Sequence, residues 1–222
     1  MKTILITGAG SGLGKELALA YAKKGNHIIL VGRTESRLNE VKEEIEQDSG
    51  SAIAAPCDIT DVHAVEVFME KLHSKENIDM IINNAGTGFF GPLQDLKMSE
   101  INEMIDTNIK GTIFMTKAIL PFFLQQNSGK IMNIISTAGL RAKVHETVYV
   151  ASKFAIRGFT ESLTKELEHT AISVSAVYMG GMDTPFWDHS DHIKDRSRLR
   201  SPREVALQIV EREDEEELII EK

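Results

Sequence analysis

Tyr149 and Lys153 stand four residues apart in Tyr149-Val150-Ala151-Ser152-Lys153, a spacing that stacks the phenol and the ammonium on one face of a helix. A free tyrosine titrates near pH 10, and a cation beside it favours phenolate, bringing the group toward the range useful for proton transfer at neutral pH (about 7). An amphipathic surface tyrosine and a solvated lysine would give the same spacing, so the pair needs a second signal. That signal is Thr7-Gly8-Ala9-Gly10-Ser11-Gly12-Leu13-Gly14, set between the apolar run Ile4-Leu5-Ile6 and a helix-patterned stretch. Glycines let the backbone bend sharply and approach a diphosphate, which the exposed amides and the positive end of the following helix attract. The spacing departs from GxGxxG, because Leu13 stands where the last glycine would fall, and fits TGxxxGxG. A plain tight turn is the competing reading of the segment. A nucleotide cofactor is the first expectation.

Alternating strands and helices must position these groups. After the glycine turn, Leu13, Leu17, Ala18, Ala20 and Tyr21 form an apolar helix face that stops at Gly25, and His27 to Val31 reads as a second, fully buried parallel strand. In a nucleotide-binding βαβ unit the end of this strand meets the adenosine ribose. An acid there selects NAD, whereas arginine suits a 2′-phosphate. The residues are Gly32-Arg33-Thr34: Arg33 offers a planar fork and Thr34 a hydroxyl, which favours NADP(H) over NAD(H). Alternatively, Arg33 pairs with Glu35 or Glu40. A charged helix from Glu35 to Gln47, a strand from Ser51 to Pro56 and a helix from Val62 to Lys75 follow. Between the last two, Asp58 either bonds an adenine amino group or forms an Asx-turn or helix cap.

A fourth strand, Ile78 to Asn83, ends in Asn83-Asn84-Ala85-Gly86, whose amides and small residues suit close approach of a cofactor ring as well as an ordinary polar turn. The helix-rich region from Ser99 to about Gln126 is interrupted by Thr107-Asn108 and Gly111, a local break in helix preference that marks function. Met104, Ile105, Met115 and Phe122-Phe123 read as core or subunit interface. A fifth strand, Gly129 to Ser136, precedes the Tyr149 helix. Ser201-Pro202 caps a helix over Arg203 to Arg212, and the acidic run Glu213 to Glu217 reads as a solvated connection to a last strand, Leu218 to Ile220. The alternation points to an α/β architecture.

Composition limits the partners. The chain has 222 residues, 42% hydrophobic, enough for a full core, and is expected to form a single unit over 1–222. Its formal charge of -8 argues against nucleic acid and against an anionic membrane surface, leaving small molecules. The sole cysteine, Cys57, permits no internal disulfide and reads as a small buried hydrophobe. The N-terminal apolar stretch is too short for a signal peptide, no run spans a bilayer, and a cytoplasmic location is expected.

TGAGSGLG, NNAG, Asn108-Ile109-Lys110-Gly111, Ser136 and YVASK lie in the order and spacing of the short-chain dehydrogenase/reductase family, which the chain resembles from Lys2 to about Thr184. The resemblance implies a Rossmann-like, doubly wound, mostly parallel seven-stranded sheet of order 3-2-1-4-5-6-7, with helices on both faces. It implies hydride transfer between NADP(H) and a small carbonyl or alcohol substrate. Tyr149 would pass the proton, Ser136 would polarise the substrate oxygen, Lys153 would bind the nicotinamide ribose and lower the tyrosine pKa, and Asn108 would hold a relay water. Gly8, Ser11, Gly12, Leu13 and Gly14 would surround the diphosphate and Asp58 the adenine. Asn84, Ala85 and Gly86 would meet the cofactor at the fourth strand, with Tyr149 and Thr184 also in contact with it. It further implies a homodimer or homotetramer built through the helices that carry Asn108 and Tyr149.

Two departures bear on this. Met179-Gly180 replaces the usual Pro-Gly after the sixth strand, and Ser11 stands where many NADP-preferring relatives carry a base. The segment of about 185–201 occupies the substrate-loop position. Within it Phe186 and Trp187 either pack or cover an apolar substrate, and before the catalytic helix Arg141 and His145 either stay solvated or meet a polar group. His189 and His192 lack a carboxylate or cysteine constellation and read as solvent-exposed rather than metal-binding. Two other classes fit the same residues: a redox sensor that binds the dinucleotide as a signal, and an interaction protein on an inactive version of the fold.

Overall fold

A computed structural model describes residues 1–188 and 190–220. His189 therefore lies outside the described residues. The strands are β1 (Thr3–Thr7), β2 (His27–Gly32), β3 (Ser51–Pro56), β4 (Met80–Asn83), β5 (Gly129–Ile134), β6 (Ile172–Met179) and β7 (Glu217–Ile220). They form one seven-stranded sheet of order β3-β2-β1-β4-β5-β6-β7. Every pairing is parallel, so the fold is Rossmann-like with a reversal of strand order beside β1.

Alternation along each strand feeds two cores. Ile4 and Ile6 of β1 face one side, with Leu17 and Tyr21 of α1 (Gly12–Lys23), Leu38 and Val41 of α2 (Glu35–Gln47), and Ile209 of the C-terminal helix Pro202–Glu211. Leu5 faces the other, with Val65 and Met69 of α3 (Val62–His73) and with Met115 and Phe123. Both faces are covered, which is why β1 and β2 read as unbroken apolar runs.

The interrupted helical region is α4 (Met98–Met104), a widened π-helical stretch over Ile105–Gly111, and α5 (Thr112–Gln126). Thr107, Asn108 and Gly111 all fall inside the widened stretch, the kind of bulge that often marks functional sites. The catalytic helix candidate is α6 (Thr147–Glu166), and α7 is the C-terminal helix already given.

Several expectations need correction. α3 stops at His73, β4 begins at Met80 and β5 ends at Ile134, so Ser136 lies beyond its strand. The acidic run is not simply solvated: the Glu213 carboxylate accepts a hydrogen bond from Lys2 Nζ at 3.0 Å, its carbonyl accepts one from Lys130 Nζ, and Glu217 already belongs to β7. α3 is capped by Asp61, which accepts from the amides of His63 and Ala64.

A buried polar chain crosses the sheet beneath the site. Asn83 and Asn133 are register partners on β4 and β5. Asn83 Nδ2 donates to Asn133 Oδ1 at 2.9 Å and to Thr116 Oγ1 of α5 at 3.0 Å, while Asn133 Nδ2 donates to Thr160 Oγ1 of α6 at 2.9 Å. Among the described residues no helix is long and apolar enough to cross a membrane.

Candidate active site

A cavity of about 630 Å³ opens over the carboxyl ends of the strands, where parallel α/β sheets bind ligands. Its floor at one end is the turn between β1 and α1. Gly12 holds φ +53°, a conformation that side chains other than glycine rarely adopt, and Gly14 is packed so closely that a Cβ would lie 2.2 Å from the Gly8 carbonyl oxygen. Ser11 is the N-cap of α1, yet its side chain makes no capping hydrogen bond, and the first turn of α1 holds no acid. The positive helix end is thus left uncompensated beside the cavity, a cradle suited to a diphosphate.

The NNAG segment is tied to this turn. Thr7 Oγ1 accepts hydrogen bonds from the amides of Asn84 and Ala85, both at 3.0 Å, and Asn84 Nδ2 donates to the Thr7 carbonyl at 2.9 Å. Asn84, expected at the cofactor, therefore lines the cavity while its amide clamps the glycine turn. Ala85 and Gly86 line the cavity alongside it.

Arg33 and Asp58 face the same end of the cavity. No ion pair joins Arg33 to Glu35 or Glu40 among the described residues. Asp58 Oδ1 accepts from the Thr60 amide at 3.0 Å and the Thr60 hydroxyl at 2.8 Å, the Asx-turn of the local reading, in a residue that also lines the cavity. Partial burial opposes its ionisation, but the Thr60 hydrogen bonds and the Arg33 charge win and hold its carboxyl below the usual range. Thr34 is not brought to the cavity; it is the N-cap of α2. Arg37, which sequence reasoning missed, lines the cavity instead, and its place four residues after Arg33 was the available signal. Burial pushes the Cys57 thiol up to about 11, an inert small hydrophobe at the cavity edge.

At the other end, Ser136, Tyr149 and Lys153 come together from β5's extension and α6, each less than 9% exposed. Ser136 has φ +111°, a strained conformation for a residue with a side chain, and its hydroxyl both accepts from the Ala138 amide and bonds the Tyr149 phenol. Lys153 Nζ donates to the Ile134 carbonyl at 3.3 Å and lies 5.7 Å from the Tyr149 ring centre. Burial lowers the Lys153 pKa to about 8. Burial also pushes the Tyr149 phenol above its ordinary range, with the Ser136 hydrogen bond drawing it back in part and the Glu146 charge adding to the rise. The expected depression by Lys153 is not found: the shift is set by burial, with Ser136 the group that draws it down. At neutral pH the phenol holds its proton.

Asn108 does not line the cavity. Its Oδ1 accepts from the Thr87 amide at 2.8 Å, and its Nδ2 donates to the Thr87 carbonyl at 2.9 Å and to Ser152 Oγ at 3.0 Å. Both amide hydrogens are spent, so the side chain locks the loop after β4 to α6 rather than donating to a relay water. Thr184 reaches back over the glycine turn, where a Cβ on Gly12 would lie 3.3 Å from its Cβ. His192, expected in solvent, has a side chain only 24% exposed, bonded to Glu146 at 3.1 Å. Among the described residues no group of three His, Cys, Asp or Glu side chains is placed to hold a metal.

The family profile described as "short chain dehydrogenase" matches residues 2–194. The chain belongs to the short-chain dehydrogenase family. It is 35% identical over 191 residues to an uncharacterized oxidoreductase of Staphylococcus epidermidis, covering 86% of this chain and 82% of that one. Among solved structures it resembles an alcohol dehydrogenase from the archaeon Thermococcus sibiricus complexed with 5-hydroxy-NADP (TM-score 0.89, 27% identity, 99% of this chain and 96% of that chain). It also resembles an actinorhodin polyketide ketoreductase with NADPH (TM-score 0.90, 28% identity, 99% and 95%). As a short-chain dehydrogenase the protein is an oxidoreductase, and its glycine turn and the Ser136, Tyr149 and Lys153 side chains line one cavity.

Proposed function

We propose that this short-chain dehydrogenase reduces the carbonyl of a small aldehyde or ketone with NADPH. The observation that carries the proposal is the meeting of Ser136, Tyr149 and Lys153 on one wall of a cavity whose far end holds an uncompensated helix N-terminus. Arg33 and Arg37 support NADP(H) over NAD(H): two guanidinium forks line the adenosine end and suit a 2′-phosphate. The similar structures that hold NADP or NADPH support the same choice.

The diphosphate would rest on the amides from Gly8 to Leu13, the ribose near the nicotinamide on Lys153, and the carboxamide side near Thr184. When bound, NADPH supplies the hydride. The chain's own residues handle the oxygen: the Ser136 hydroxyl bonds it and stabilises the negative charge that develops there, and the Tyr149 phenol, held protonated by burial, gives it a proton. Lys153 then sets a cation beside the phenolate that remains. Asn108 is a positioning residue that fixes Thr87 and Ser152 around this wall. Residues 1–222 act as one catalytic unit, with about 185–201 as the substrate loop. Exposed Leu124 on α5 and Phe154 on α6 support a homodimer or homotetramer through those helices, and the lone Cys57 suits a cytoplasmic setting.

The test is NADPH oxidation across aldehydes, ketones, diketones and sugars, with Tyr149→Phe alongside. Turnover lost in that variant supports the reductase. Tight NADPH binding with no turnover on any carbonyl overturns it in favour of the sensor class.

A further inference from the structure

The Tyr149 ring belongs to an aromatic cluster drawn from three separate segments, of which Phe186 and Trp187 line the cavity. Phe90, in the loop after β4, meets the Tyr149 ring edge-on at 5.4 Å, and Phe186 approaches the same ring at 5.8 Å. Trp187 stacks on Phe90 at 5.0 Å and stands T-shaped to Phe186 at 5.0 Å. On the outer side, the His192 ring stacks on Phe90 at 4.9 Å. Gly88 leaves room for this closure, since a Cβ there would lie 2.6 Å from both Phe90 Cζ and Phe186 Cζ.

Several polar groups in this half are already committed. Trp187 Nε1 donates to the Met182 carbonyl at 3.0 Å. The Glu146 carboxylate is held by His192 at 3.1 Å and by Lys143 at 3.7 Å. The hydroxyls of Ser136 and Tyr149 remain as the pair that meets one oxygen. Glu103 also lines the cavity here, so a second carboxylate accompanies Glu146 while the Lys143 charge is shared with Glu146. Such a wall rewards burial of a flat apolar body, offers one oxygen a pair of donors, and repels an anion. Polyhydroxylated compounds would leave their extra hydroxyls unpaired against aromatic carbon.

We propose that the substrate is an uncharged, flat, largely apolar aldehyde or ketone, aromatic or conjugated, and neither a carboxylate-bearing carbonyl compound nor a sugar. This rests on the reading of the site as a carbonyl reductase.

The experiment compares benzaldehyde, 4-carboxybenzaldehyde and glyceraldehyde with the full-length protein and NADPH. kcat/KM for benzaldehyde is expected to exceed the other two by at least about tenfold. Phe186→Ala should raise KM for benzaldehyde by about tenfold with a smaller effect on kcat, and cost benzaldehyde more than glyceraldehyde. Equal or better turnover of 4-carboxybenzaldehyde or glyceraldehyde overturns the substrate class, as does a uniform loss on all three in Phe186→Ala. Trp187 is the sole tryptophan, so its emission gives a readout independent of turnover. Saturable quenching by benzyl alcohol in the presence of NADPH, a pair that cannot exchange a hydride, absent with 4-carboxybenzyl alcohol and glycerol, supports the class; equal quenching by all three, or by none, overturns it. Loss of the reductase reading looks different: no carbonyl is reduced, or reduction survives Tyr149→Phe, while the quenching result still decides the class.

Discussion

The Lys153 ammonium lies 5.7 Å from the centre of the Tyr149 ring, and both side chains are less than 9% exposed. Burial acts on them in opposite senses: it favours the protonated phenol and the neutral amine. In the proposed mechanism a proton donor and the cation that steadies its conjugate base are therefore held together under conditions that weaken the cation, and this pairing sets the expected pH behaviour.

With its pKa lowered to about 8, Lys153 is charged at neutral pH and loses that charge as pH rises through this value. Reduction should therefore be flat up to about pH 8 and decline above it. In the unfolded chain the lysine keeps its proton to about pH 10.4. Between those values the unfolded state holds the lysine proton that the folded state has lost, so Lys153 makes stability rise with pH, while the raised Cys57 thiol opposes that rise above about pH 8.5. The lysine contribution is read as the melting temperature of the parent relative to Lys153→Met, which should rise from about pH 8 to pH 10 while activity of the parent falls. Lys153→Met should also abolish turnover; a difference in melting temperature that stays flat or falls over this range would refute the buried, depressed lysine.

Tyr149→Phe removes one hydroxyl from a well-packed ring. Turnover should fall by about 10²–10⁴-fold, the contribution ordinary for a positioned acid. NADPH affinity, read by titration, should stay within about threefold, because binding rests mainly on the distant glycine turn and arginines.

Arg33→Ala should weaken NADPH by about 10–100-fold, the scale of a lost charge-assisted hydrogen bond to phosphate. NADH, which lacks the 2′-phosphate, should change by less than about threefold. Arg37→Ala should show the same sign. Equal losses for both dinucleotides would mean that these arginines do not read the phosphate.

Asn108→Ala strips Thr87 of partners for both its amide and its carbonyl, and Ser152 of one donor. A cost of about 1–2 kcal/mol in urea unfolding is expected from two part-buried backbone groups left unpaired. In the surviving folded fraction kcat should fall more than cofactor affinity, because the displaced loop faces Tyr149 and not the diphosphate.

The elements that bear chemistry were legible where the chemistry forces an unusual local residue. Gly8, Gly12 and Gly14 answer to a turn that few side chains tolerate, and Thr107, Asn108 and Gly111 announced the widened helical stretch by being poor helix formers. Tyr149 and Lys153 were visible because helical spacing is a local property. Phe90, Glu146 and His192 were not, since their contacts join segments about fifty to a hundred residues apart in the chain and nothing near any of them specifies the partner. The direction of the Tyr149 shift was missed for the same reason: burial is set by everything packed around a group, whereas the lysine four residues away is all that the local sequence displays. Thr34, named for its place beside Arg33, stands at the N-cap of α2 and does not line the cavity, whereas Arg37 does.

The amides of Asn83 and Asn133 have a consequence for assembly of the sheet. Strands as uniform as Met80–Asn83 and Gly129–Ile134 could slide by two residues and still bury the same faces, since side chains alternate with period two. In this sheet such a slip would separate the two amides and strand each in hydrocarbon, at about 1–3 kcal/mol apiece. The polar chain thus works as a proofreading mark during folding. It rejects misaligned pairings before Asn84 and Ser136, one and three residues further along their chains, could be set at the wrong heights above the cavity.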